Sequence, residues 1–160
     1  MSMPDVTPSE PHEHEHEPDL DNRPGYLVKR VSITMRTRMD ATLRPLGLTV
    51  PQYVCMHALY EQPRISGAEL ARIALVSRQA VHQLLSELRA RGWVEQEPSA
   101  NGRRRGVARL TGEGRVLIER AFDPVDVLEE EMLTGFSTEE RDQLAEMLIR
   151  CEDALRAIDR

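Results

Sequence analysis

The chain has 160 residues, 40% of them hydrophobic but only 4% aromatic, and a formal net charge of −6. That length suits one domain plus a tail, with a core built mainly of Leu, Ile, Val, Ala and Met. The longest unbroken aliphatic run, from Ile73 to Val76, is far too short to span a membrane, and the acidic, polar N-terminus shows no secretory signal.

The net charge conceals a division along the chain. Residues 1–22 carry −7 and residues 112–160 carry −8, whereas 23–62 carry +4 and 63–111 carry +5. Positive charge therefore gathers in the middle, where a phosphate backbone would need it. Cys55 and Cys151 have no metal or redox spacing, and the chain shows neither a phosphate-binding glycine loop nor a paired-carboxylate motif. No catalytic residue, no metal site and no cofactor is expected, and a cytoplasmic protein is.

Residues 1–24, rich in Pro, Glu, Asp and His, lack the aliphatic side chains needed to offset ordering entropy, which predicts a disordered acidic tail. Within it, "HEHEHE" at 12–17 sets His12, His14 and His16 on one side of an extended chain, a pattern open to weak capture of nickel, zinc or copper. A plain acidic tail is preferred, because no other ligand cluster appears in the sequence.

From Gly25 the pattern is helical. Leu27, Val31, Met35, Met39 and Leu43 recur at helical spacing until Pro45 and Gly47. Thr49 then caps a second helix, with Pro51 in its first turn and Pro63 beyond its end. Ser66 caps a short third helix, and Glu69 three residues on makes a capping box. A tight turn at Leu75 and Val76 leads to Ser77, the cap of a fourth helix, on which Val81, Leu84, Leu85 and Leu88 form an apolar stripe and Gly92 gives the stop.

Two helices joined so closely suggest a helix-turn-helix. The period then changes: "WVEQEP" and "GVARLT" alternate around "SANGRRR", a hairpin with a basic tip. Thr111 caps a long helix over about 112–134, with Pro124 expected to kink it. Ser137 and Glu140 box a last helix bearing Leu144, Leu148, Cys151, Leu155 and Ile158 at spacings of 4, 3, 4 and 3, a seam suited to a partner helix.

The polar side of the fourth helix carries Gln79, His82, Gln83 and Ser86, with Arg78 near its start. Glutamine pairs bidentately with adenine and arginine with guanine, so the face suits base reading; a merely solvated face is the plain alternative. Arg103, Arg104 and Arg105 at the hairpin tip tilt the balance toward a nucleic acid, since a basic wing can enter a minor groove.

Residues 25–158 resemble the MarR family of transcription regulators. "LRPLGLTVPQYVCMHAL", "SGAELARIALVSRQAVHQLLSELRARGWVEQEP" and "GRRRGVARLTGEG" are similar to that family's second-helix start, helix-turn-helix with first wing strand, and wing closing into the long fifth helix. The resemblance implies a mainly α fold with a small β-hairpin (α+β). It implies a winged helix-turn-helix over about 49–111 and dimerisation helices over about 25–45 and 112–158, within a domain of residues 25–160. It also implies a homodimer joined by its N- and C-terminal helices and bound to double-stranded DNA at a palindromic operator. Repression would be relieved by a small aromatic or phenolic effector.

Several residues take roles on that footing. Gln79, His82 and Gln83 would face base edges, Ser77 and Arg78 phosphates, and Arg103, Arg104 and Arg105 the minor groove, with Ser66 a further contact. Arg30, Tyr53 and His57, walled by Met35 and Met56, would line the effector pocket. Leu27, Val31, Leu144, Leu148, Cys151, Leu155 and Ile158 would form the dimer interface. Two departures stand out: Gly102 replaces the aspartate that usually steadies the wing arginine, here Arg104, and Glu97 occupies a commonly basic position. Two alternatives accompany this reading. One is a redox sensor using Cys55 or Cys151; the other is a dimeric winged-helix interaction protein without specific DNA binding.

Overall fold

The computed structural model describes residues 20–96 and 108–158. Two compact units meet in sequence between Met35 and Arg36, inside the first helix, α1 (Pro24–Leu43).

In the first unit a 3-10 turn, Leu20–Asn22, precedes α1. Pro24 occupies the first helical position, where its missing N–H costs nothing. Arg30 Nη1 donates to Asp21 Oδ1 at 2.9 Å, and its guanidinium lies 5.8 Å from the centre of the Tyr26 ring. Both charges are more than half exposed, so the pair contributes little to stability. Leu27, Val28, Val31 and Ile33 are exposed in this unit.

The second unit is built around α2 (Val50–Glu61). Gln52, Tyr53, Cys55, Met56, Ala58 and Leu59 are all buried, which is more than one face of a helix and marks a central element. It packs against α3 (Gly67–Ile73), α4 (Arg78–Ala90), β2 (Ala108–Leu110) and α5 (Gly112–Met132). Its cap is a full box: Gln52 N–H donates to Thr49 Oγ1, and Thr49 N–H donates to Gln52 Oε1 at 3.1 Å. Leu43, at the end of α1, Leu70, Val81, Leu88 and Ile118 complete the fully buried set with Cys55, Met56 and Leu59. Each large aliphatic side chain so placed stabilises the fold by roughly 1.5–3 kcal/mol relative to exposure.

β1 (Val94–Gln96) pairs antiparallel with β2 in the register Val94↔Leu110, Glu95↔Arg109 and Gln96↔Ala108. The expected hairpin is therefore present at its base. Thr111 fastens that base to α5: its N–H donates to Trp93 O at 3.0 Å and its hydroxyl to Gly92 O at 2.7 Å, while Oγ1 accepts from Gly114 N. The approach is so close that a Cβ on Gly114 would stand 2.0 Å from Trp93 O.

α5 runs unbroken through Pro124. Pro124 and Arg120 are both exposed, so water can satisfy the carbonyl that loses its helical partner, and no break is forced. The helix ends at Met132, two residues before the expected 134. At the corner with α6 (Thr138–Ile158), Arg141 grips Glu130 through 2.9 and 2.7 Å hydrogen bonds and donates to Leu133 O and Phe136 O. None of the described residues of α6 is buried.

Two helices end in the same hydrogen-bonded motif. After α4, Gly92 N–H donates to Arg89 O and Trp93 N–H to Leu88 O, with Gly92 at φ +75°. After α3, Leu75 N–H donates to Arg72 O at 3.4 Å and Val76 N–H to Ala71 O at 3.1 Å, with Leu75 at φ +53°. A left-handed leucine costs roughly 1–2 kcal/mol that glycine does not.

Candidate nucleic-acid interface

The spacing of apolar residues splits α4 into two faces. Val81, Leu84, Leu85 and Leu88 are buried, while Arg78, Gln79, His82, Gln83 and Ser86 are exposed. Ser77 holds the head of the helix: its hydroxyl accepts from Ala80 N–H at 3.1 Å, satisfying one of the helix's orphan donors. No acid occupies the first turn, and residues 70–86 contain Arg72 and Arg78 but neither Asp nor Glu. The unsatisfied amides and the arginines therefore reinforce each other as an anion-attracting end. Gln83 Nε2 donates to Glu87 Oε1 at 3.3 Å, which leaves its second N–H and its Oε1 available.

Ser66 caps α3, its Oγ accepting from Glu69 N–H at 3.2 Å, and it is engaged twice more with the Glu69 carboxylate. Its N–H donates to Glu69 Oε2 at 3.1 Å and its hydroxyl to the same oxygen at 2.7 Å. Those bonds hold the Glu69 carboxyl below its ordinary pKa. Beside it, an open groove of about 830 Å³ runs between α2, the head of α3, α4 and the hairpin. Arg64, His82 and Arg89 reach it above a floor of Leu59, Ile65 and Leu85. On the hairpin, Arg109 Nε donates to Glu95 Oε1 at 2.7 Å across the strands, so the charge at its base is matched. Arg103, Arg104 and Arg105, with Gly102 and Glu97, lie outside the described residues, as do His12, His14 and His16.

Between α2 and α5 runs a line of aromatic contacts. Tyr53 stacks on His57 with ring centres 5.7 Å apart, and His57 meets Phe122 of α5 edge-on at 5.4 Å. Tyr60 meets Phe122 at 5.1 Å, and the Arg115 guanidinium sits 4.6 Å above Tyr60. Tyr53 is buried and His57 exposed; Met56, the expected apolar wall, is fully buried. Burial, then the charges of Asp126 and Glu129, push the Tyr53 phenol up to about 12, so it stays a hydrogen-bond donor at neutral pH. Arg30 and Met35 belong to the first unit, Arg30 paired as above and Met35 half-buried. Phe122 was not singled out in the sequence, since only packing of α5 on α2 brings it to His57.

Known proteins resemble this chain both in sequence and in fold. A transcriptional repressor of Mycobacterium tuberculosis, Rv2887, is 37% identical over 124 residues, covering 78% of this chain and 89% of the relative. The MarR-family signature matches residues 46–105, from the turn before α2 through the helix-turn-helix. The chain belongs to the MarR family. Crystalline Rv2887 in complex with salicylic acid is 36% identical, with a TM-score of 0.66 over 81% of this chain and 96% of that one. The fold also matches a DNA complex of the Staphylococcus aureus regulator MepR, at a TM-score of 0.75 and 23% identity, over 84% of this chain and 98% of that one. The chain is thus a winged helix-turn-helix regulator of the MarR type and not an enzyme.

Within this MarR chain the two cysteines differ. Cys55 is fully buried, and that burial pushes its thiol up to about 12, so almost none is thiolate at neutral pH. Cys151 is exposed on α6. On the same helix Leu148, Leu155 and Ile158 are exposed and Leu144 half-buried, and Leu27 and Val31 are exposed on α1. No helix among the described residues is long and apolar enough to cross a membrane.

Proposed function

We propose that this protein is a cytoplasmic, dimeric repressor that reads an inverted repeat in double-stranded DNA and is released by a small aromatic effector. The observation that carries it is α4: a helix with its apolar side committed to the core, a polar side free of acid from its Ser77 cap up to Glu87, and a two-stranded hairpin following it in sequence. Gln79, His82 and Gln83 would meet base edges in the major groove, because their amides and ring nitrogens both donate and accept. Ser77, Arg78 and Ser66 would hold phosphates, fixing register without reading sequence. Arg103, Arg104 and Arg105 would follow the minor groove or its rim.

Two such heads need a dimer. The apolar rows of α1 (Leu27, Val31) and α6 (Leu144, Leu148, Cys151, Leu155, Ile158) support one, since α6 buries no residue within its own chain and Leu27 and Val31 of α1 are exposed. The domain division follows: residues 1–24 a tail, about 49–111 the reading head, and about 25–45 with 112–158 the dimer arms.

For the effector, the salicylic acid complex of Rv2887 supports an aromatic acid. Tyr53, His57 and Phe122 offer ring faces and edges for it, with the Tyr53 phenol and the His57 ring as polar partners. The redox alternative has less support at Cys55, because a thiol held so high is a poor nucleophile, and at exposed Cys151 it competes with the place of that residue in the apolar row of α6. Selection of bound fragments from a random duplex library tests the whole reading, and salicylate added to the resulting complex tests release.

A further inference from the structure

We propose that Leu75, in the turn between α3 and α4, is a sequence-determining contact that packs against a thymine C5-methyl group in the major groove. This rests on the reading of α4 as the DNA-reading helix.

Three observations meet at this residue. Among the described residues the positive-φ positions are Gly47, Gly92, Gly135 and Leu75, so a leucine stands where the fold elsewhere uses glycine. Its side chain is 82% exposed, more than any other large hydrophobic side chain described, so it returns nothing to the core. The positions that usually carry the apolar packing of this helix ending are half-buried Val76 and buried Ala71, so the motif itself gives the Leu75 side chain no packing role. A strained backbone carrying an unpacked aliphatic group is unfavourable within the chain alone, and an observed strain of this kind points outward to function.

The third observation is position. Leu75 lies two residues before Ser77, the cap of α4, and between Arg72 and Arg78, in the stretch 70–86 that contains no acid. An apolar group framed by positive charge, with no carboxylate near it in sequence, suits a polyanion that also presents methyl groups. Duplex DNA does so through the thymine methyl, which lies in the major groove and is recognised by apolar side chains. A second protein surface would cover the leucine too, but the surrounding charge favours DNA.

The experiment uses the full chain and Leu75→Gly, with a duplex site obtained by selection and then remade with deoxyuridine in place of each thymine in turn. Removing one methyl at the contacted position should weaken the wild-type chain about fourfold, the worth of one buried methyl group. The same replacement should leave Leu75→Gly unaffected, and that variant should bind the thymine-containing site several-fold more weakly with an unchanged salt slope, since no phosphate contact is lost. Leu75→Gly should also melt no lower than the wild type, because glycine accepts this φ freely, which separates lost contact from lost fold.

Unchanged affinity and preference in Leu75→Gly would overturn the role of Leu75 while leaving α4 as the reading helix. A change in its oligomeric state with DNA binding intact would do the same and would assign the leucine to a protein contact. A wild-type chain with no salt-dependent duplex binding at all would overturn both.

Discussion

Gly114 sits where one methyl group decides whether the hairpin and α5 can share a corner. A Cβ there would meet Trp93 O at 2.0 Å, and that oxygen is held in place by Thr111 N–H. Backbone on both sides leaves no side chain to swing away. Gly114→Ala should therefore cost about 2 kcal/mol or more, against the usual gain of alanine in a helix, and lower the melting temperature accordingly. Thermal melts of the two chains check this, and an alanine variant as stable as the wild type would mean that the corner is looser than drawn. At the same scale, Cys55 and Cys151 show why a cysteine's surroundings matter more than its presence. One is sealed and held as a thiol; the other is exposed on α6.

The helices are set by their first turns. Ser66, Ser77, Thr111 and Ser137 each accept a hydrogen bond from the amide three residues on, and Ser66 and Ser137 also donate their N–H to Glu69 and Glu140. Both carboxyls are held below their ordinary pKa by these bonds. A carboxyl depressed in the folded state stabilises it above the unfolded pKa and loses that contribution as pH falls through the folded one. Glu140→Ala should thus melt below the wild type at pH 7, with the difference closing as pH falls below the ordinary glutamate range and through the depressed folded pKa, where the wild-type carboxyl protonates. A gap that did not change with pH would assign the effect to helix propensity and not to the ionised cap.

These caps were legible in the sequence because the chemistry is local: a hydroxyl and a carboxyl three residues apart need no knowledge of the fold. The stripe of α4 was legible for the same reason. The Thr49–Gln52 box carried the same signal, T-x-x-Q, although only its threonine half was read. What the sequence hid depends on distant partners. The contact of Gly114 with Trp93 and the pairing of Glu95 with Arg109 follow from how the hairpin seats and registers, and Phe122 reaches His57 only across two packed helices. The left-handed Leu75 was hidden differently, since leucine gives no hint of a positive φ.

At the scale of the molecule, α6 is a long helix without a buried residue, and Leu155 and Ile158 on it are 67% and 77% exposed. A second copy covering that row is expected to give a particle of twice the 18.2 kDa chain mass. Leu148→Glu with Leu155→Glu places charge on the row without touching the core, so the doubly substituted chain should stay folded and sediment as a monomer. Sedimentation of both chains checks this; a variant that remained dimeric would move the interface elsewhere. In the proposed dimer, two α4 heads held at a fixed separation would engage two half-sites at once and gain affinity that neither would have alone.

Selection of bound fragments from a random duplex library, at low and at near-physiological salt, is the most direct test of this protein as a dimeric, sequence-reading regulator. An inverted repeat with half-sites about ten base pairs apart should emerge, and its enrichment should survive the higher salt. Binding without sequence preference that vanishes as salt rises would contradict it, leaving a winged-helix scaffold that meets DNA through charge alone.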